Sequence, residues 1–248
     1  MPVNPEPAIV LRGVRKTFGA KVAVNALDLD IPAGELFCLL GPNGAGKTTT
    51  LKMLCGLLRP TRGELRVAGF DAVRGGQAAR QVLGYIPDTP FLYDRLTPAE
   101  FMEFIGDLYG LPPARVRAES ARWFEIFGLG EHRDVLIKDL SHGLRQRVVY
   151  ASTFLHEPRV LLVDEPFIGL DPFSIRLIKN LLRERARDGV TVVMTTHILA
   201  LVEDLADRLG IIQRGELVAL GTLQALLRQG RAGGRLEDAF LSITAEEA

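Results

Sequence analysis

The sequence of 248 residues is poor in cysteine, with two, and holds a single tryptophan. Two cysteines cannot build the framework of bridges that holds small secreted domains together. Cys38 and Cys55 each lie in an apolar run, so both are expected to be buried and reduced. No excess of either charge exists: 30 Lys and Arg balance 30 Asp and Glu, for a formal net charge of zero. A chain that coats nucleic acid or an anionic membrane carries a basic surplus, so no nucleic-acid partner is expected. No run approaches the roughly 18 apolar residues of a spanning helix. The longest candidates, 35–40 and 160–163, have the length of strands. The first residues, Met1 to Pro7, lack the charged and apolar regions of a signal peptide. A cytoplasmic location is therefore expected.

What remains is an ordinary globular composition, 47% hydrophobic and 24% charged. Short runs rich in Val, Ile and Leu alternate with helical patterns. Strands are expected at 8–14, 22–31, 35–40, 65–69, 82–86, 159–163, 190–195 and 209–213. The first two read as an antiparallel pair around Lys16 to Lys21. The continuous apolar strands call for a sheet buried on both faces, which predicts a mostly parallel α/β core. Residues 88–158 differ and predict helices at 98–108, 113–127 and 142–155, punctuated by Pro112, Pro113, Gly128 and Gly130. Nine aromatics fall between Tyr85 and Phe127, out of 12 Phe, 4 Tyr and 1 Trp in the whole chain. They either form the core of a small helical subdomain or, like Phe91 and Tyr93, face a partner. The expected organisation is one domain over 1–248, a helical insertion at 88–158, and a final helix with a frayed tail at 230–248.

Gly41, Pro42, Asn43, Gly44, Ala45, Gly46, Lys47 and Thr48 match the pattern G-x-x-x-x-G-K-[ST] in full, and Thr49 follows. The motif succeeds a predicted buried strand and opens a helical pattern over 48–57. Glycines let backbone N–H groups turn inward around a phosphate, and the helix N-terminus adds partial positive charge. Lys47 can reach the β- and γ-phosphates, and the Thr48 hydroxyl can ligate Mg²⁺.

The acidic counterpart is Asp164 and Glu165, at the end of the apolar run 160–163. In open α/β sheets ligands bind at the C-terminal ends of strands. Asp164 is placed to hold Mg²⁺ through water, and Glu165 to orient or deprotonate an attacking water. An apolar strand ending in Asp-Glu is common alone; beside the phosphate loop it points to nucleoside triphosphate hydrolysis.

Between these halves lies Leu140-Ser-His-Gly-Leu-Arg-Gln-Arg147, which resembles the signature of ATP-binding cassette (ABC) ATPases. The order of phosphate loop, signature, Asp-Glu strand and a single histidine, His197, after the next strand is similar to that family over roughly residues 8–225. The resemblance implies a P-loop NTPase (RecA-like) parallel-sheet core with an antiparallel β side sheet and an inserted α-helical subdomain. It implies ATP and Mg²⁺ as ligands, Phe18 as the aromatic against adenine, and His197 as a switch against the γ-phosphate. Asp171 would cross a dimer interface. Ser141, an N-cap in its own right, would with Gly143 bind the γ-phosphate held by the opposite subunit.

Three departures stand out. His142 and Leu144 replace the usual Gly and Gln of the signature. Asp88 stands where the family places a Gln that senses metal and water; an acid here resembles the exporter (ABC-2) branch. Phe167 and Ile168 are apolar where polar residues are frequent. The resemblance implies an ATPase subunit at the cytoplasmic face of a membrane, paired as a homodimer or with a second ABC ATPase. It would drive an integral-membrane subunit, touched by the loop 88–96. The rival readings are a soluble ABC ATPase acting on ribosomes or DNA, disfavoured by one cassette and no heptad array, and a non-hydrolysing regulatory module, disfavoured by Glu165 and His197.

Overall fold

The computed structural model describes residues 6–229 and 235–245. Two sheets carry the architecture. A six-stranded sheet has the order β10-β9-β3-β8-β7-β6. Its strands are β3 (Leu36–Leu40), β6 (Leu83–Ile86), β7 (Val160–Asp164), β8 (Thr191–Thr196), β9 (Arg208–Gln213) and β10 (Glu216–Gly221). All neighbours are parallel except β10, which runs antiparallel to β9. A second, antiparallel sheet has the order β2-β1-β4-β5, built from β1 (Ile9–Phe18), β2 (Lys21–Ile31), β4 (Arg62–Val67) and β5 (Phe70–Asp71). Helix α1 (Lys47–Leu54) follows β3 directly, and a short helix α2 (Gly76–Gln81) leads into β6.

Successive side chains of a strand point to opposite faces, and the central strands use both. Leu36, Cys38 and Leu40 of β3 join Leu161 and Val163 of β7 in one apolar cluster. Phe37 and Leu39 join Leu162 in another, under α1 and the antiparallel sheet. This explains why β3 and β7 read as unbroken apolar runs: every residue of both is buried.

The first cluster continues into α3 (Pro98–Leu108), α4 (Pro113–Phe127) and α5 (His142–Phe154). The sequence sets their ends. Thr97 and Glu100 form a reciprocal capping box at the start of α3. Pro113 opens α4, and Gly128 closes it at φ 62°. Trp123 stacks on Phe154 with ring centroids 4.8 Å apart, and Phe127 lies 5.9 Å from Tyr150. Those aromatics are core. Phe91 is 80% exposed and Tyr93 58%, so these two lie outside that core.

Helix α6 (Pro172–Arg187), α7 (Leu223–Gln229) and α8 (Leu236–Ala245) complete the structure. Helix α8 lies within 230–248, where a final helix and frayed tail are expected; residues 230–234 and 246–248 of that stretch lie outside the described residues. One expectation is corrected: Cys38 is fully buried, but Cys55 is only half-buried, at the end of α1, where its thiol donates to the Leu51 carbonyl at 2.8 Å. Among the described residues no helix is long and apolar enough to cross a membrane.

Candidate functional site

The C-terminal ends of β3, β7 and β8 converge on one cavity of about 540 Å³. Its floor is the loop 41–46. Gly41 packs so tightly that a Cβ would lie 2.3 Å from the Ile212 carbonyl oxygen. Gly46 adopts φ 113°, and a Cβ there would meet the Ala23 carbonyl oxygen at 2.5 Å. Both the left-handed conformation and the close approach require glycine at 46. Gly46 is the N-cap of α1 and has no side chain to cap it. The first N–H groups of α1, at Lys47, Thr48 and Thr49, therefore have no partner from the preceding helical turn. They form a positive end open to an anion.

Lys47 is 5% exposed. Its Nζ donates to the carbonyls of Gly41 at 2.7 Å and Pro42 at 3.2 Å, and lies 3.4 Å from Glu165 Oε1. His197 Nδ1 contacts the same carboxylate oxygen at 3.0 Å. Glu165 sits at φ 48°, a left-handed conformation for a non-glycine residue, just after β7. Its backbone N–H donates to the Thr195 carbonyl at 3.1 Å, which holds the strained residue at the strand end. Glu165 Oε2 is buried with no hydrogen-bond partner.

Asp164 is fully buried. The hydroxyls of Thr195 and Thr48 donate to its Oδ1 at 2.5 Å and 3.2 Å, while Oδ2 is buried without a partner. Burial pushes this carboxyl above its ordinary range; the two hydroxyls oppose the shift, and Asp88 and Glu165 add to it. A buried carboxylate oxygen without a partner, beside a threonine hydroxyl, is suited to a cation. Among the described residues no cluster of three or more His, Cys, Asp or Glu could hold a metal. A divalent ion here would take ligands from Thr48 and Asp164 and the remainder from phosphate and water, the habit of Mg²⁺. The residues fit that group.

The cavity gathers Phe18, Asn43, Gly44, Gly46, Lys47, Thr48, Thr49, Asp88, Glu165 and His197. Gly41, Pro42 and Ala45 belong to the same loop but do not line the cavity. Phe18 is 48% exposed, which excludes the core role, and the Lys16 ammonium lies 5.0 Å from its ring centroid. Asp88 Oδ1 accepts from the Thr89 N–H at 2.9 Å. Phe167 is buried, whereas Ile168 is exposed and faces the cavity. Ser141, Gly143 and Asp171 are not part of this cavity. Ser141 caps α5, accepting from the Leu144 N–H at 3.3 Å. Asp171 caps α6, accepting from the N–H groups of Phe173 and Ser174 at 2.9 and 3.0 Å. The Ser174 hydroxyl and these amides hold its carboxyl below the usual range.

Sequence reasoning missed Thr195, whose hydroxyl fixes Asp164. Its only signal is the parallel register that sets Thr195 opposite Asp164. It also missed a second cavity, an apolar groove of about 520 Å³ between α1, β6 and the helices α3 and α5, flanked by Leu57, Phe91, Phe101 and Tyr109. Asp88 lines both cavities. At the groove's edge His156 stacks on Tyr109, ring centroids 3.8 Å apart, and contacts the Leu83 carbonyl through Nε2 at 3.2 Å.

Comparison with known proteins agrees with this geometry. A family model described as ABC transporter matches residues 24–168. The linearmycin resistance ATP-binding protein LnrL of Bacillus subtilis (strain 168) is 36% identical over 231 residues, 93% of this chain and 73% of that protein. The daunorubicin/doxorubicin resistance ATP-binding protein DrrA of Streptomyces peucetius is 37% identical over 249 residues, 99% of this chain and 76% of that one. A solved structure described as the ATP binding subunit of an ABC transporter superposes with a TM-score of 0.90 at 32% identity, covering 96% of this chain and 99% of that chain.

Proposed function

The chain belongs to the ABC transporter family, as an ATP-binding and ATP-hydrolysing subunit, and from that premise we propose how its own residues perform the work. The triphosphate lies on the N-terminus of α1, with adenine against the exposed face of Phe18. Lys47 leaves the Gly41 and Pro42 carbonyls for the β- and γ-phosphates. Its contact with Glu165 is exchanged in the same movement, which frees the carboxylate for water. Glu165, still oriented by His197, then holds the water that attacks the γ-phosphate and accepts its proton. Thr48 and Asp164 would hold Mg²⁺, with Asp88, which lines the same cavity, as a further ligand; the metal would neutralise the charge that builds on the phosphate oxygens.

The observation that carries this reading is the convergence of Lys47 and His197 on Glu165 Oε1, at 3.4 and 3.0 Å, next to Asp164 with its unpaired oxygen. Ser141 and Gly143 belong to the half-site offered to a second subunit, because they stand apart from the cavity of their own chain. Two copies, or one copy and a related cassette, close head to tail around two ATP. The apolar groove receives a cytoplasmic segment of an integral-membrane subunit. Asp88, which lines groove and cavity alike, reports nucleotide state from one to the other. The helical region 88–158 carries that motion, and the subunit sits on the cytoplasmic face of the membrane. Relatives named for drug resistance and for Nod factor export favour export.

Lys47→Ala tests the placement of the triphosphate. The variant is expected to lose ATP hydrolysis by about 100-fold or more, with weakened binding of an ATP analogue. Parent-like affinity for the analogue refutes the placement.

A further inference from the structure

Helix α5 and the loop that carries Glu165 are tied together within one chain. Arg147, on α5, is the centre of the tie. Its Nη1 donates to the Phe127 carbonyl at 3.1 Å and its Nη2 to the Ser174 hydroxyl at 2.9 Å. The Ser174 hydroxyl donates in turn to Asp171 Oδ2 at 2.5 Å, and that oxygen lies 4.0 Å from Arg147 Nη2. Ser174 is 1% exposed, so the link is shielded from water. At the first residue of α5, the ring of His142 lies against Gly169. A Cβ at Gly169 would sit 3.3 Å from His142 Cδ2 and Nε2. Gly169 adopts φ 71°.

These contacts clamp both the middle and the end of the segment 165–171. Its beginning is Glu165, held at positive φ. The segment is short, and the Ile168 N–H folds back to the Glu165 carbonyl at 3.4 Å. A displacement of α5 therefore cannot leave it in place. Arg147 Nε is buried and bonded to nothing among the described residues, so its side chain has a donor in reserve for a second arrangement.

We propose that Arg147 and His142 are positioning residues that make the loop of Glu165 follow helix α5. This rests on the reading of Glu165 and of a paired site given above. The N-terminus of α5 is offered to the triphosphate held by the partner. Its occupation moves α5, and the clamp carries the movement to the Glu165 of its own chain. Each subunit then hydrolyses only when the opposite nucleotide is in place. His142, at a position where a glycine would leave Gly169 uncovered, supplies the second point of contact.

The test is steady-state hydrolysis by the full chain as ATP is varied, with binding of a fluorescent ATP analogue and thermal melting measured beside it. Ser174→Ala removes one hydroxyl and serves where Arg147→Ala fails to fold. Each is expected to lower kcat about tenfold and to bring a cooperative curve to a Hill coefficient of about 1, with the analogue's Kd within about twofold of the parent. Arg147→Lys should restore part of the loss, His142→Gly should show a smaller loss of the same kind, and the double variant Arg147→Ala/Ser174→Ala should be no worse than the worse single change. A parent curve without cooperativity, unchanged kcat in Ser174→Ala and His142→Gly, or a loss that follows weakened analogue binding overturns the proposal. Glu165→Gln separates the two readings. Parent-like hydrolysis in that variant removes the underlying assignment, whereas an inactive Glu165→Gln beside unaltered Ser174→Ala and His142→Gly removes the clamp alone.

Discussion

Lys47 spends its three ammonium donors within its own chain, on two loop carbonyls and Glu165. Asp164 is left incomplete, with one oxygen bonded to two hydroxyls and the other to nothing. The two groups are complementary to a metal–triphosphate, and without that partner the buried Asp164 oxygen stays unpaired at a cost. Asp164→Asn should therefore stabilise the nucleotide-free chain while abolishing hydrolysis. Burial raises the Asp164 pKa, so its ionised form weighs against the native state. The folded state is favoured below the ordinary carboxylate range, and that advantage disappears as pH rises through the raised value. At neutral pH the variant should melt about 2–4 °C higher, for about 1 kcal/mol relieved. A lower melting temperature refutes this account. His156 gives the reverse sign. Burial lowers its pKa to about 4, against an opposing effect of the Leu83 carbonyl. Its contribution to stability is present above about pH 6.5 and is lost as pH falls toward 4. His156→Phe should flatten the fall in stability over that window, measured by urea unfolding at a series of pH values. The motif residues were legible because phosphate chemistry fixes residue type at fixed spacing. Thr195 was not, because only strand register brings it to Asp164.

At the scale of the element, α3 and α4 were predictable to the residue. Thr97 with Glu100, Pro113 and Gly128 mark their ends chemically. Strands β5 and β10 were missed for physical reasons. β5 has two residues, and β10 is an edge strand with no fully buried position, whose short apolar run 217–220 carries no turn or period to set it apart. Helix α6 carried a readable signal that went unused: Asp171 as N-cap, Pro172 at the first position, and Ile178, Leu181 and Leu182 on the buried face. The interlock of α3 with α4 depends on Gly106, where a Cβ would fall 2.3 Å from Val116 Cγ2. Gly106→Ala should gain helix propensity yet lose about 1–3 kcal/mol by overpacking. Chemical denaturation would show it, and restoration by Val116→Ala in the double variant would confirm the contact.

Across the whole molecule, zero net charge argues against a nucleic-acid coat and says nothing of the site, where Lys47 shares a cavity with Glu165 and Asp88. The order of motifs made the fold legible. The groove was not legible, because its walls come from α1, β6, α3 and α5, which are distant in sequence. Phe91, 80% exposed at its rim, packs on little in the isolated chain. Phe91→Asp should leave the melting temperature unchanged and abolish co-purification with the membrane subunit. Retained co-purification would place the docking surface elsewhere. The central claim, that Glu165 drives the step that reopens a nucleotide-bound pair, is tested most directly by the mass of Glu165→Gln in solution with Mg²⁺ and ATP. The account predicts a stable dimer holding two uncleaved ATP, against a parent that returns to monomer as ATP is consumed. A variant that stays monomeric, or that hydrolyses ATP at the parent's rate, contradicts it.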